Sequence, residues 1–536
     1  MKSNLFRFSF LYIFSLVYLF SGCAQSNLNE NPAELKKIIE EFKKEDVKDF
    51  GKKDLTKILK FLEKFTNDNP DNQEGHYFLG YIYDRMGLPD GSKFYDTYVK
   101  YEIKASDEFR KVIEINPDYK GEYYILSPYS KISSLWATIA VKYLVEGKTD
   151  LAKWAFKKGK ELGGFSAEVL EHNRALMSCC KKNAILFTNG DMDTFPLWYL
   201  QLVENYRRDI TIVNTSLLNA DWYSIQLKNH YMFGDNNIKI NISGEKIKSL
   251  TPVMWEPKLV SIPVPENILL EYDVKDSTML TTDTMSWLMP NTLEYGNNKG
   301  IRIQDILVKE IIESNNWDRD VNFVIGPDEN YIGLYQYLRY SGLVYQLTPK
   351  KCKEYFIDFD KTATYTCFCT DYDASKIQPG IKWDVINGIA KSYDRDVRYI
   401  PDEYRYILMQ YYNYLKMEDS ALCDVVLRRM EEKLPVDVCV PAFFMYYNMK
   451  NFYATSEKTN DFEKIIPKIE KVILVKLNRE EFLDRDYYTY KTLIQIYNDS
   501  KDYKKAIYAL EKIKSAYPED SIIIKQLNNF RTMEGK

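Results

Sequence analysis

Residues 183–223, NAILFTNGDMDTFPLWYLQLVENYRRDITIVNTSLLNADWY, constrain the fold of this 536-residue chain more than any other stretch. A short apolar run at 184–188 ends in Asn189-Gly190-Asp191. Pro196 then sits where the first turn of a helix needs no N–H, and a second apolar run follows at 210–213. The pattern predicts one βαβ unit, with parallel strands joined by a right-handed crossover. Ligands of such sheets gather at the carboxyl ends of the strands. Both ends here are polar: Asn189, Asp191 and Asp193 follow the first strand, and Asn214, Ser216, Asn219 and Asp221 follow the second. Trp198 and Trp222 stand at the starts of the succeeding helices.

Downstream, 231–300 is mixed and turn-rich, with short strands expected at 260–264 and 285–289. Apolar residues at Ile303, Ile306, Leu307, Ile311 and Ile312 predict a helix over 301–315. Strands are expected at 321–325 and 343–347, with a helix at 331–340 between them. The strand at 321 again ends in an acidic turn, Gly326-Pro327-Asp328-Glu329. The expected fold class is α/β plus all-α: a Rossmann-like, mainly parallel module at 183–375, between helical domains at 33–182 and 376–536.

In those flanks, Tyr490, Leu493, Tyr497, Ala506, Leu510, Ile513 and Pro518 fall at a spacing that resembles the tetratricopeptide repeat. Leu79, Gly80, Tyr83, Ala105, Phe109 and Pro117 form a second copy, interrupted by an insertion around 88–98; Trp136, Ala140, Tyr143, Ala152 and Phe156 form a third. That resemblance implies stacked hairpins and a groove for a protein partner. Bracing of the central module is the equal alternative.

At the amino terminus, Lys2 and Arg7 precede an apolar run at 8–20 and then Ser21-Gly22-Cys23. A basic start, a short apolar run and small residues describe a secretory signal, too short for a membrane span. The cysteine after the small pair resembles a bacterial lipobox. This implies a signal peptide at 1–22, acylation of Cys23 (palmitate among the acyl groups) and a polar tether at 23–32. Residues 24–30 lack the acidic cluster of surface-export signals, which favours the periplasmic face of the outer membrane.

The net charge of −4 is spread without a basic stripe, so nucleic acid is not an expected partner. The chain has three histidines, His76, His172 and His230, expected at surface or groove positions rather than as ligands. Cys367-Phe368-Cys369 is expected to direct two thiols to one strand face, but no second pair completes a zinc site. Cys179, Cys180, Cys352, Cys423 and Cys439 bring the cysteines other than Cys23 to an odd number, leaving a thiol unpaired. No cofactor and no resident metal are expected.

The segments FTNGDMDTFPLWYLQ, NTSLLNADWY, IRIQDILVKEIIESNNWDRDVNF and GLVYQLTP resemble the soluble carboxyl-terminal region of a Bacteroidetes membrane-protein family, domain of unknown function 2723. That family is similar to protein O-mannosyltransferases. The present chain lacks its many membrane spans, where the transfer chemistry is expected. The resemblance therefore implies a soluble module serving envelope glycan or glycoprotein handling, without its own transferase.

Three readings compete for the acidic strand ends. Asp193 or Thr194, and Asp221, are expected as helix N-caps, with Asp191 ordering the turn. Alternatively Asn189, Asp191, Asp193, Asn214, Ser216, Asn219, Asp221 and Trp222 bind the hydroxyl groups and C–H face of a sugar. The third reading is an Asp191-x-Asp193 site for a divalent cation, disfavoured because the following helix points its positive end at the turn. The expected function is a non-catalytic envelope scaffold for a protein or a glycan. The alternative is a glycan-processing enzyme using Asp191 and Asp193 with Asp328 or Glu329; no catalytic residue is otherwise assigned.

Overall fold

The computed structural model of the protein describes residues 35–40, 55–88, 94–119, 121–296, 298–326, 331–352, 358–376, 378–479, 486–518 and 520–535. The signal segment, Cys23, the tether, Asp328 and Glu329 lie outside the described residues. The chain is mixed α/β and helical, and it divides into two compact units. One comprises Met1–Leu338 with Val344–Cys352, the other Arg339–Leu343 with Lys353–Lys536.

The first unit opens with helices α1 (Leu55–Asp68), α2 (Gln73–Gly87), α3 (Val99–Ile115), α4 (Pro128–Val145), α5 (Thr149–Glu161) and α6 (Ala167–Ser178). From α1 to α5 each helix packs on the next. Local chemistry sets their starts. Asn72 Oδ1 accepts the Gly75 N–H at 2.8 Å, and Ser127 Oγ accepts the Ser130 N–H at 3.1 Å ahead of Pro128. Gly80 lets α2 and α3 approach closely, since a Cβ there would lie 2.9 Å from the Phe109 ring. The apolar residues singled out by their spacing (Leu79, Tyr83, Ala105, Phe109, Trp136, Ala140, Ala152 and Phe156) are buried in this stack.

Strands β1 (Ile185–Thr188) and β2 (Thr211–Asn214) run parallel, joined by α7 (Phe195–Val203). All four residues of each strand are buried, as in a sheet covered on both faces. Helix α8 (Asp221–Asn229) follows β2. An antiparallel ribbon comes next, β3 (Lys258–Pro263) with β4 (Thr284–Met289), beside a small sheet of Val253–Met254, Asn298–Ile301 and Leu293–Tyr295. Helix α9 (Ile303–Asn315) leads into β5 (Val321–Val324), parallel to β1, and β6 (Val344–Leu347) pairs antiparallel with β5. The helix expected at 331–340 is instead a 3-10 turn, Leu334–Tyr337, followed by the strand Leu338–Ser341. Gly333, at φ +83°, breaks the helical path there.

In the second unit, Arg339 and Tyr340 pair in parallel with Asp358 and Phe359. Helix α10 (Lys361–Cys369) contains Cys367 and Cys369, so the expected strand with two aligned thiols is not formed. Helices α11 (Ile400–Glu418), α12 (Cys423–Lys433), α13 (Phe443–Thr455), α14 (Thr459–Asn478), α15 (Asp486–Asp499), α16 (Tyr503–Ala516) and α17 (Ser521–Glu534) complete it. Tyr490, Leu493, Tyr497, Ala506, Leu510 and Ile513 are buried between them.

Candidate functional site

The carboxyl ends of β1 and β2 hold the residues singled out by sequence, and most of them bond to one another. Asn214, 2% exposed, donates to Gly190 O at 3.2 Å and Thr194 Oγ1 at 2.9 Å, and accepts the Leu217 N–H at 3.0 Å. Ser216 Oγ donates to Asn189 Oδ1 at 3.3 Å. Asn219 exchanges two hydrogen bonds with Gln304 at the start of α9, at 2.6 and 3.1 Å. Asp221 Oδ1 accepts the N–H of its neighbour Trp222 at 2.7 Å. These groups tie strand ends, turns and helix starts together.

The expected caps do not form. Thr194 occupies the cap position of α7, but its backbone is helical, with φ −114° and ψ −50°, and its hydroxyl turns back. It donates to Gly190 O at 2.7 Å and lies 2.7 Å from Thr188 Oγ1. Asp221 is the first residue of α8 and Ala220 holds the cap position without a side-chain bond. An effective cap needs an extended residue whose oxygen reaches forward to the first-turn N–H groups.

Asp191 and Asp193 face different surroundings. Ser134 Oγ, from α4, donates to Asp191 Oδ2 at 2.6 Å. Burial raises the Asp191 pKa, opposed by that bond and by Lys131, one turn earlier on α4. Lys131 Nζ is itself held by Asp84 of α2 at 2.7 Å. Asp193 has no hydrogen-bond partner among the described residues, and burial alone pushes its carboxyl up to about 7. No neighbouring charge contributes to that shift. Among the described residues no group of three histidine, cysteine or acidic side chains is arranged to hold a metal ion.

The amino-terminal helices supply the residues that sequence reasoning missed. The 3-10 turn Phe94–Asp96, within the insertion between α2 and α3, packs on α4, and Phe94 meets Trp222 edge-on with ring centroids 5.7 Å apart. Glu102 of α3 is 1% exposed, with both carboxyl oxygens lacking a hydrogen-bond partner among the described residues, against Gly87 of α2. Burial first, and then Asp84, raise its pKa well above the carboxylate range. Helix α7 lies against α4, α5 and α6. One signal in the sequence foretells this cover: FPLWYLQLV is apolar on every side, and Phe195 to Leu202 are all buried. Trp198 is core, stacked on Phe233 with centroids 4.1 Å apart.

The histidines are not surface groups throughout. His76 is 3% exposed, with Nδ1 2.6 Å from Glu108 Oε2, and His172 is 8% exposed, its pKa lowered to about 4 by burial.

Residues 170–256 and 256–365 match the family model described as TMEM260-associated domain 2. That is a different family from the one the sequence motifs resemble. No curated protein matches the chain.

Proposed function

We propose that the chain is a non-catalytic, lipid-anchored scaffold of the cell envelope. It is tethered through Cys23 at the periplasmic face of the outer membrane. A Rossmann-like module between tetratricopeptide-like arms holds a protein or a glycan during envelope glycan or glycoprotein assembly. The observation that carries this reading is the cover over the strand ends: the chain's own helices supply Ser134 to Asp191 and Phe94 to Trp222. An edge occupied in this way braces a platform and leaves little room for a reacting substrate.

Capture of the protein from native membranes tests the proposal. A co-purifying envelope glycan-transfer protein, retained when Asp191 and Asp193 are changed to Asn, is the expected result. Glycan cleavage or transfer by the purified chain, abolished in that double variant, would replace the scaffold with the glycan-processing enzyme. That second reading draws on Asp193, a carboxyl whose pKa burial pushes up to about 7. It needs a second acid across a cleft, and Asp191 is engaged by Ser134.

A further inference from the structure

We propose that a cavity in the second unit is a binding site for an uncharged side-chain amide, of glutamine or asparagine type, on a protein partner. It rests on the scaffold reading above only in placing that amide on a partner chain. The cavity, about 80 Å³, lies where the hairpins α11–α12 and α13–α14 meet the link at 434–437. At roughly 30 Å³ per water molecule, it has room for the end of one side chain. Its walls are apolar and buried: Met430, Leu434, Met449 and Ile465. Two polar groups stand among them, the Arg405 guanidinium and the Tyr453 hydroxyl, on residues 1% and 0% exposed. Glu431, Asp437 and Lys468 are exposed and form the rim.

The two buried groups keep one donor and one acceptor for a ligand. Arg405 gives an Nη1–H to Asp402 at 2.6 Å, and its Nη2 bonds the carbonyls of Leu434, at 3.0 Å, and Cys439. Its Nε–H has no acceptor among the described residues, yet the atom is not closed off inside the core. Tyr453 Oη donates its proton to Glu431 Oε1 at 2.7 Å, so the phenol oxygen still has a lone pair with which to accept. A primary amide supplies the complement, a C=O for Arg405 and an N–H for Tyr453. Charge weighs against the ionic alternatives. Asp402 already balances Arg405, so an entering carboxylate would be desolvated beside a second carboxylate. An ammonium would be drawn to the rim acids but would meet the guanidinium inside. A purely apolar side chain would fill the walls and leave the Nε–H unpaired.

The test uses the full chain with isotope-labelled methionine methyl groups, read by NMR, so that Met430 and Met449 report on the cavity. Met430→Leu and Met449→Leu assign the two signals. The probes are end-capped tripeptides with glutamine, glutamate, lysine or leucine between two glycines. The glutamine peptide should shift both signals saturably and bind about fivefold or more tighter than the other three. Tyr453→Phe, which keeps the ring and removes the acceptor, should erase that preference while the leucine peptide binds as before. The proposal is overturned if no peptide shifts the signals, or if the glutamate, lysine or leucine peptide binds as well as glutamine. A glutamine preference that survives Tyr453→Phe would also overturn it. Capture from native membranes judges the scaffold reading separately: an amide site with no captured partner would leave the chemistry of the cavity standing and overturn its assignment to a protein.

Discussion

Asp193→Asn should stabilise the first unit, and the gain should depend on pH in a defined direction. Asp193 is the carboxyl with no hydrogen-bond partner among the described residues, and burial moves its pKa from 3.8 to about 7. Below about pH 4 both folded and unfolded states hold the proton, and no loss arises. Between about pH 4 and 7 the folded state holds more protons than the unfolded chain, so stability falls as pH rises. Above about pH 7 both states are ionised and the loss is constant. A shift of this size would cost about 4 kcal/mol in full burial. Asp193 keeps part of its surface in water, so solvent screening reduces the effect to about 1–3 kcal/mol. Hydrogen exchange of β1 and α7 reports the opening free energy locally, which avoids assuming that the two units unfold together. The variant should gain protection at about pH 8 and match the wild type at about pH 4. Equal effects at both pH values, or lost protection at high pH, would show that the carboxylate has a compensating partner and would refute this reasoning.

Three further outcomes follow from the same geometry. Ser134→Ala should cost about 1–2 kcal/mol, because Asp191 is then left short of a donor in a desolvated position, and exchange of α4 amides checks it. His172, with its pKa lowered to about 4, acts opposite to Asp193: the unfolded chain holds more protons between about pH 6.5 and 4, so stability falls by up to about 3 kcal/mol as pH drops. His172→Gln should flatten that limb of the stability curve. Arg405→Met should destabilise the second unit by about 3–5 kcal/mol. It removes a guanidinium, 1% exposed, that bonds Asp402 at 2.6 Å, Leu434 O at 3.0 Å and Cys439 O. Faster proteolysis within 434–442 is the readout.

The strands and the parallel pairing of β1 with β2 were legible because four-residue apolar runs bounded by Asn-Gly and Asn-Thr turns admit few other structures. The short strands expected at 260–264 and 285–289 are the ribbon Lys258–Pro263 with Thr284–Met289, but their antiparallel pairing was not read in advance. The helix expected at 331–340 failed because Gly333 takes φ +83°, a backbone choice that apolar periodicity does not encode. Cys367-Phe368-Cys369 misled because a three-residue alternation fits a strand and a helix turn equally, and the Asp360 side chain caps a helix there by accepting the Ala363 N–H at 3.0 Å. The fate of Asp191 was illegible for another reason. Its partner Ser134 lies 57 residues upstream on a different helix, and no local pattern announces so distant a contact.

An Asp-x-Asp turn at a strand's carboxyl end invites a catalytic reading, yet side-chain direction decides its chemistry. Two carboxylates act on one metal or one glycosidic bond only when their oxygens converge on a common point. In this chain Asp191 is drawn toward α4 by a hydroxyl at 2.6 Å, whereas no charge bears on Asp193. The buried oxygens of Glu102, without a hydrogen-bond partner among the described residues, are influenced by the same Asp84 and Lys131 that act on Asp191. Polar groups under burial stress thus collect where the amino-terminal helices meet the sheet. The polar strand ends thus form part of the seam between the amino-terminal helices and the sheet.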